Sequence, residues 1–202
     1  MTRQRRVSTT RRVSHTTSVA ASAGLGVLAA AIGYLLAYLL VAGEVREGLG
    51  ESVAEWKGVG WYYYNAHAVD VHASGEIGSF GGTRTVDFIA QSGSTSASLL
   101  YVVPPVVLLG AGAILAHRLD VRDIGEAVLV GAPVAIGYVV MMGLGAVVTE
   151  SSTEATFFGI EATGTMGPAL VPSVVLAGIL YPLVFATAGS ILVAVLARRQ
   201  EE

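Results

Sequence analysis

Four stretches of this chain carry no charged residue: Thr16–Gly43, Gln91–Ala116, Ala127–Thr149 and Ala162–Ala197. A helix needs about 20 apolar residues to cross the hydrocarbon core of a bilayer, and each stretch reaches that length. The pattern predicts an all-α membrane protein with four transmembrane helices. The segments read as a basic, disordered cytoplasmic tail (1–17), a first span (18–43), an external acidic and aromatic loop domain (44–94) and a second span (95–116). A cytoplasmic loop (117–126), a third span (127–149), a second external loop (150–166), a fourth span (167–197) and a short tail (198–202) complete the chain. The apolar run Val19–Ala42 exceeds the roughly 7–15 residues of a cleavable signal core, so the first span reads as an uncleaved anchor. In the first external loop, Ala68–Ala73 and Thr83–Ala90 alternate apolar and polar around a Gly-rich centre, Gly75–Gly82. That alternation predicts a small β-hairpin.

The second pair of spans resembles the first. Ala31-Ile32-Gly33-Tyr34 recurs as Ala135-Ile136-Gly137-Tyr138, and Pro105–Leu115 matches Pro182–Leu192 at six of eleven positions. The matches occur in the same order and orientation. They read as two tandem helical hairpins, a parallel internal repeat whose halves would relate by an axis along the membrane normal. Small residues also recur every fourth position: Ala29, Gly33 and Ala37; Ala127, Gly131 and Ala135; Ala186, Ser190 and Ala194. Such faces let helix backbones approach closely. Ala29, Gly33, Ala37, Gly131, Ala135, Gly137, Ala186 and Ser190 are the expected helix-packing positions. Pro104-Pro105, Pro133, Pro172 and Pro182 interrupt the spans and predict kinks.

Charge orients the spans. Arg3, Arg5, Arg6, Arg11, Arg12, Arg118, Arg122, Arg198 and Arg199 fall on one side, and only Arg46, Lys57 and Arg84 on the other. The positive-inside rule places both termini in the cytoplasm, giving a multi-pass protein of the cell membrane. The basic tail, with Arg-Arg-Val-Ser at Arg5–Ser8 and again at Arg11–Ser14, suits anionic lipid. Beyond residue 15 the chain is acidic and almost free of lysine, with Lys57 alone. This balance suits protein solvation at high salt. There is no cysteine, hence no disulfide, thiol nucleophile or thiolate metal site.

Candidate chemistry is sparse. Trp56, Trp61, Tyr62, Tyr63 and Tyr64 lie within nine residues. Such rings favour the headgroup layer, so the segment Glu51–Ala68 is expected along the outer membrane surface, with these five as interface anchors. His67, Asp70 and His72 are the one cluster of metal-ligand types. Neither a strand nor a helix gathers all three on one face, and a structural zinc site takes four ligands. They are weak metal candidates, and no cofactor is expected. No Asp, Glu, Lys, Arg or His lies inside a span, which weighs against proton relays and charged-substrate sites. Ser22, Tyr34, Tyr38, Tyr138, Ser173, Tyr181 and Thr187 are the polar groups left to bond between helices.

The segment Trp56-Lys57-Gly58-Val59-Gly60-Trp61-Tyr62-Tyr63-Tyr64-Asn65-Ala66-His67, set between the first two spans, resembles uncharacterised four-span integral membrane proteins of halophilic archaea, some loosely labelled transporter-like. The resemblance implies a membrane location and carries no site residues. The expected role is non-enzymatic, an accessory or structural membrane component whose partners are the lipid bilayer and a second protein or further copies of itself, with no nucleic acid. The alternative is a small-solute transporter or channel built from the duplicated hairpin.

Overall fold

A computed structural model describes residues 15–77, 80–157 and 160–199. Among them, four helical segments are long and apolar enough to cross a membrane: Val19–Leu49, Thr95–Arg118, Ile124–Thr149 and Leu170–Arg199. The tail arginines before residue 15 and both Arg-Arg-Val-Ser repeats lie outside the described residues.

The first described element is α1 (His15–Leu49). A 3-10 turn at Gly50–Ser52 follows, with Gly50 at φ 58°, a left-handed conformation that glycine adopts without a Cβ penalty. The turn sends the chain back into α2 (Glu55–Asn65). Next come β1 (Val71–Ile77) and β2 (Phe80–Val86). Two one-turn helices, α3 (Phe88–Ser92) and α4 (Thr95–Leu99), are capped by the side chains of Asp87 and Ser94. In α5 (Val103–Arg118), Pro104-Pro105 occupies the first turn, where a missing N–H breaks no helical bond. The third apolar run divides at Ala132-Pro133 into α6 (Ile124–Gly131) and α7 (Val134–Thr149). Then come β3 (Ser151–Phe157), β4 (Ile160–Pro168), α8 (Leu170–Pro172), a π-helical stretch at Ser173–Leu180 and α9 (Tyr181–Arg199). Pro182 cannot close an α-helical bond onto Gly178, and the wider π turn lies directly before it.

The strands form one antiparallel sheet in the order β2-β1-β4-β3. The all-α expectation is corrected here. The first loop forms a hairpin, but its Gly-rich centre is mostly strand, and the second loop supplies another. Their inner strands pair along seven positions, from Val71 with Pro168 to Ile77 with Ala162. Alternation places Ala73, Ile77, Phe80 and Met166 on one face, together with Arg84 and Thr153, and Ser74, Glu76, Thr83 and Thr165 on the other.

Where α5 meets α9, a Cβ on Gly112 would overlap the Ala186 carbonyl, and one on Gly189 would overlap the Leu109 carbonyl. These contacts are reciprocal: shifting Leu109 and Gly112 by 77 positions gives Ala186 and Gly189, the same offset that aligns Pro105 with Pro182. The α1–α7 crossing is reciprocal as well, with Gly26 against the Val134 carbonyl and Gly137 against the Ala23 carbonyl, but its pairing does not follow the repeat that aligns Gly33 with Gly137. Gly137 lies against Ala23 of α1, whereas Gly33 lies against Tyr63 of α2.

Candidate functional site

The site is built by α2, which turns back along α1 and wedges between α1 and α7. At its entrance Tyr38 donates to Glu55 at 2.5 Å and Arg46 pairs with Glu55 at 2.8 Å. The Tyr38 hydrogen bond, and then that from Arg46, hold the Glu55 carboxyl below the usual carboxylate range. One step further in, the Tyr34 hydroxyl donates to the Trp56 carbonyl at 2.9 Å. Deeper still, the Trp61 indole N–H donates to the Thr149 carbonyl at 3.0 Å, and the Tyr64 hydroxyl to the Met142 carbonyl.

Trp61, Tyr62, Tyr63 and Tyr64 are all buried. Four consecutive helical positions point about 100° apart, so α2 is enclosed on every side. Only Trp56 is exposed, at 43%. The expected row of anchors along an outer surface is thus, for four of the five rings, a packed interior. Small residues permit this: a Cβ on Gly58 would collide with Val45 and Leu49, and one on Gly60 with Thr149. Phe88 of α3 covers the wedge, stacked on Trp61 at 5.7 Å and Tyr62 at 5.5 Å between ring centroids.

Asn65 ends the helix and ties it to the sheet. Its amide nitrogen donates to the carbonyls of Val69 (3.0 Å) and Val86 (3.4 Å), and its oxygen accepts from the Phe88 N–H (2.9 Å). It is the chain's one asparagine, and it is buried.

Beyond it, His67 is fully enclosed, at 0% exposure. Nδ1 lies 2.7 Å from the Tyr63 carbonyl and Nε2 lies 2.8 Å from the Tyr138 hydroxyl, which is 2.8 Å from the Tyr63 hydroxyl. Counting hydrogens fixes the polarity. A carbonyl only accepts, so Nδ1 carries the ring proton. In the neutral ring Nε2 must then accept from Tyr138, whose oxygen in turn accepts from Tyr63. The result is a one-way chain, Tyr63 to Tyr138 to His67 and back to the Tyr63 backbone. No carboxylate is among the ring's partners, and an unpaired buried charge is costly, so these surroundings suit the neutral imidazole. The Tyr181 ring lies 4.9 Å from it, and its hydroxyl reaches the Ala66 carbonyl at 3.4 Å. One imidazole thus joins α2, α7 and the start of α9. Tyr138 is eleven residues from Thr149, so the ring sits about 16 Å along α7 from the sheet end.

The candidate metal residues are not brought together. Both nitrogens of His67 are engaged, whereas Asp70 and His72 are exposed. Among the described residues no three His, Cys, Asp or Glu side chains are grouped to hold a metal. Of the packing positions, Ala29, Ala37, Ala135, Ala186 and Ser190 are buried, and Ser190 donates across to the Ala127 carbonyl at 2.8 Å. Gly131 faces Ser190 and Thr187, while Gly33 and Gly137 contact different elements, as above. Tyr34 and Tyr138, matched in the repeat, differ accordingly: the first caps Trp56 near the surface and the second is enclosed against His67.

All these residues fall within positions 1–197, which match the sequence model of a family of unknown function, DUF7978. The chain belongs to that family. The match spans the wedge, the sheet and nearly the whole of the four apolar helices. No curated protein and no solved structure matches the chain. Asn65 and Phe88 escaped the sequence reading. The signal for Asn65 was its rarity, a lone asparagine between an aromatic run and a histidine.

Proposed function

We propose that the four apolar helices cross a cell membrane with both termini in the cytoplasm and the sheet outside, and that the protein is a non-enzymatic accessory or structural membrane component. The asymmetry of basic residues supports the orientation. The observation that carries the role is the seven-position ladder between β1 and β4. It binds the loop of the first helical pair to that of the second, so any rocking of one pair against the other would shear it. The wedge supports the same reading. In a membrane α2 is a re-entrant helix, and His67 lies near mid-depth, where non-helical backbone is tolerated only inside protein. Its polar groups satisfy one another and leave no row of free donors for a solute. The reciprocal Gly112 and Gly189 contacts support descent of the α5 and α9 spans from a duplicated hairpin. The acidic, lysine-poor exterior fits a halophilic source.

The runner-up is a small-solute transporter. The eight-residue π-helical stretch beside Tyr181 favours it, since such turns accompany functional sites and broken helices accompany transport.

Two measurements test the proposal. The chain has no cysteine, so Thr153→Cys and Asp120→Cys each introduce a single thiol. A membrane-impermeant maleimide applied to intact cells should label the first and spare the second, and the reverse result overturns the orientation. Native mass spectrometry of gently extracted protein should show a stoichiometric partner or a defined homo-oligomer. Solute flux into liposomes that stops on bulky substitution at Gly137 would overturn the structural reading in favour of transport.

A further inference from the structure

We propose that the cleft between α1, α2 and α7 is a binding site for an anionic phospholipid of the outer leaflet, with one acyl chain in the cleft and the headgroup phosphate on Lys57. This inference rests on the membrane reading above.

The cleft has a volume of about 390 Å³, within the ~300–1,000 Å³ range of small-molecule sites. Ala31 and Leu35 line it from α1, Trp56 and Tyr64 from α2, and Met141 and Val148 from α7. Its rim faces away from the bundle: Leu35 is 60% exposed and Val148 55%. An opening between two membrane-crossing helices meets hydrocarbon, not water. Along α7 the cleft runs from Met141 to Thr149, about 12 Å at 1.5 Å per residue. That approaches the depth of one leaflet, half of a core about 30 Å thick.

Its polarity selects the ligand. Three tyrosine hydroxyls border the cleft, and all are engaged: Tyr34 with the Trp56 carbonyl, Tyr63 with Tyr138, and Tyr64 with the Met142 carbonyl. The cavity offers ring faces and aliphatic carbons, which suit a hydrocarbon chain and give a sugar or an ion nothing to bind.

A second observation chooses the headgroup. The Lys57 ammonium lies over the Trp56 ring, 5.6 Å from its centroid, at the sheet end of the cleft. One of its donors reaches the Glu150 carbonyl at 2.5 Å, and an ammonium has three. Arg46, the other cation at this end of α1, is paired with Glu55. In a chain of formal net charge -3, the one lysine stands at the mouth of an apolar cleft. A phosphate there gains a charge-assisted hydrogen bond.

The test is native mass spectrometry of the full-length protein in detergent, titrated with phosphatidylglycerol or phosphatidylcholine of identical chains. Phosphatidylglycerol should form the more persistent adduct. Lys57→Gln should cut that preference about fivefold, the value of one lysine near a phosphate surface, and leave phosphatidylcholine binding unchanged. Ala31→Phe should abolish both adducts at an unchanged melting temperature. If that variant fails to fold, Leu35→Trp at the exposed rim replaces it. Equal adducts from the two lipids, or adducts that survive filling of the cleft, would overturn the proposal. Correct maleimide labelling of Thr153→Cys alongside such a result would show that the lipid site has failed and the membrane reading has not.

Discussion

The direction of the buried hydrogen-bond chain makes an unequal prediction for two nearly identical substitutions. Tyr138→Phe and Tyr63→Phe each remove one hydroxyl from the same enclosed cluster. In Tyr138→Phe the His67 Nε2 loses its donor, 2.8 Å away, and is left buried and unpaired. Leaving such an acceptor unsatisfied costs about 1–3 kcal/mol. In Tyr63→Phe the Tyr138 hydroxyl still donates to Nε2; what disappears is the hydrogen bond onto its own oxygen and a longer one, 3.4 Å, from Tyr63 to the Ala30 carbonyl. That loss is closer to an ordinary net hydrogen bond, about 0.5–1.5 kcal/mol. With roughly 2–4 °C per kcal/mol for a chain of this size, Tyr138→Phe should melt ~2–12 °C below wild type in detergent, and Tyr63→Phe a smaller interval below it. The double variant should fall short of the sum, because Tyr63 has already lost its shorter hydrogen bond once Tyr138 is phenylalanine and keeps only the Ala30 carbonyl at 3.4 Å. A Tyr63→Phe loss equal to or greater than that of Tyr138→Phe would refute the assignment of the proton to Nδ1 and, with it, the polarity of the chain.

Other outcomes follow from neighbouring features. Asn65→Ala strands the Phe88 N–H and two carbonyls. It should cost about 2–4 kcal/mol and expose the β1–β2 hairpin to limited proteolysis. Gly112→Ala should cost more than ~3 kcal/mol by overpacking, because its Cβ meets the Ala186 carbonyl. Gly110→Ala, two residues away in open space, should be neutral or stabilising, and size-exclusion profiles of detergent extracts separate the two. Since Glu55 is held below the ordinary carboxylate range, its contribution to stability is present above its unfolded value, near 4.3, and is lost as pH falls through the lower folded one. Glu55→Gln should therefore flatten the fall in melting temperature between about pH 5 and pH 3.

The apolar helices were legible because a run of about 20 residues without charge suits little besides the interior of a bilayer. The position of α2 was not. Trp61–Tyr64 have the composition of a headgroup belt, and a ring that prefers an interface also fills a gap between helices. Composition cannot distinguish those two fates; the glycines at 58 and 60, small enough to admit α1 and α7, are the better cue. The second hairpin went unread because Ser151–Thr156 and Glu161–Gly167 are threonine-, serine- and glycine-rich, the vocabulary of loops, and their pairing depends on β1, far away in the chain. His67 lies outside every apolar stretch by sequence and is buried among the helices by structure, since α2 turns back along α1 and carries it there. A rule that searches spans for ionisable residues passes over it. His67 and His72 part for a related reason: His67 is enclosed beyond the end of α2, and His72 leaves with the sheet.

The β1–β4 ladder also imposes an order of events. Once β1 and β2 have paired, β1 keeps an open edge until β4 is made, and two apolar helices are synthesised in between. An unpaired edge strand invites wrong partners, and pairing across so long a stretch of chain is slow. The edge of β1 is short, contains a glycine and carries Glu76, features that discourage premature association. Closure of the sheet therefore waits for β4, and a chain that stops before β4 leaves β1 with an unpaired edge.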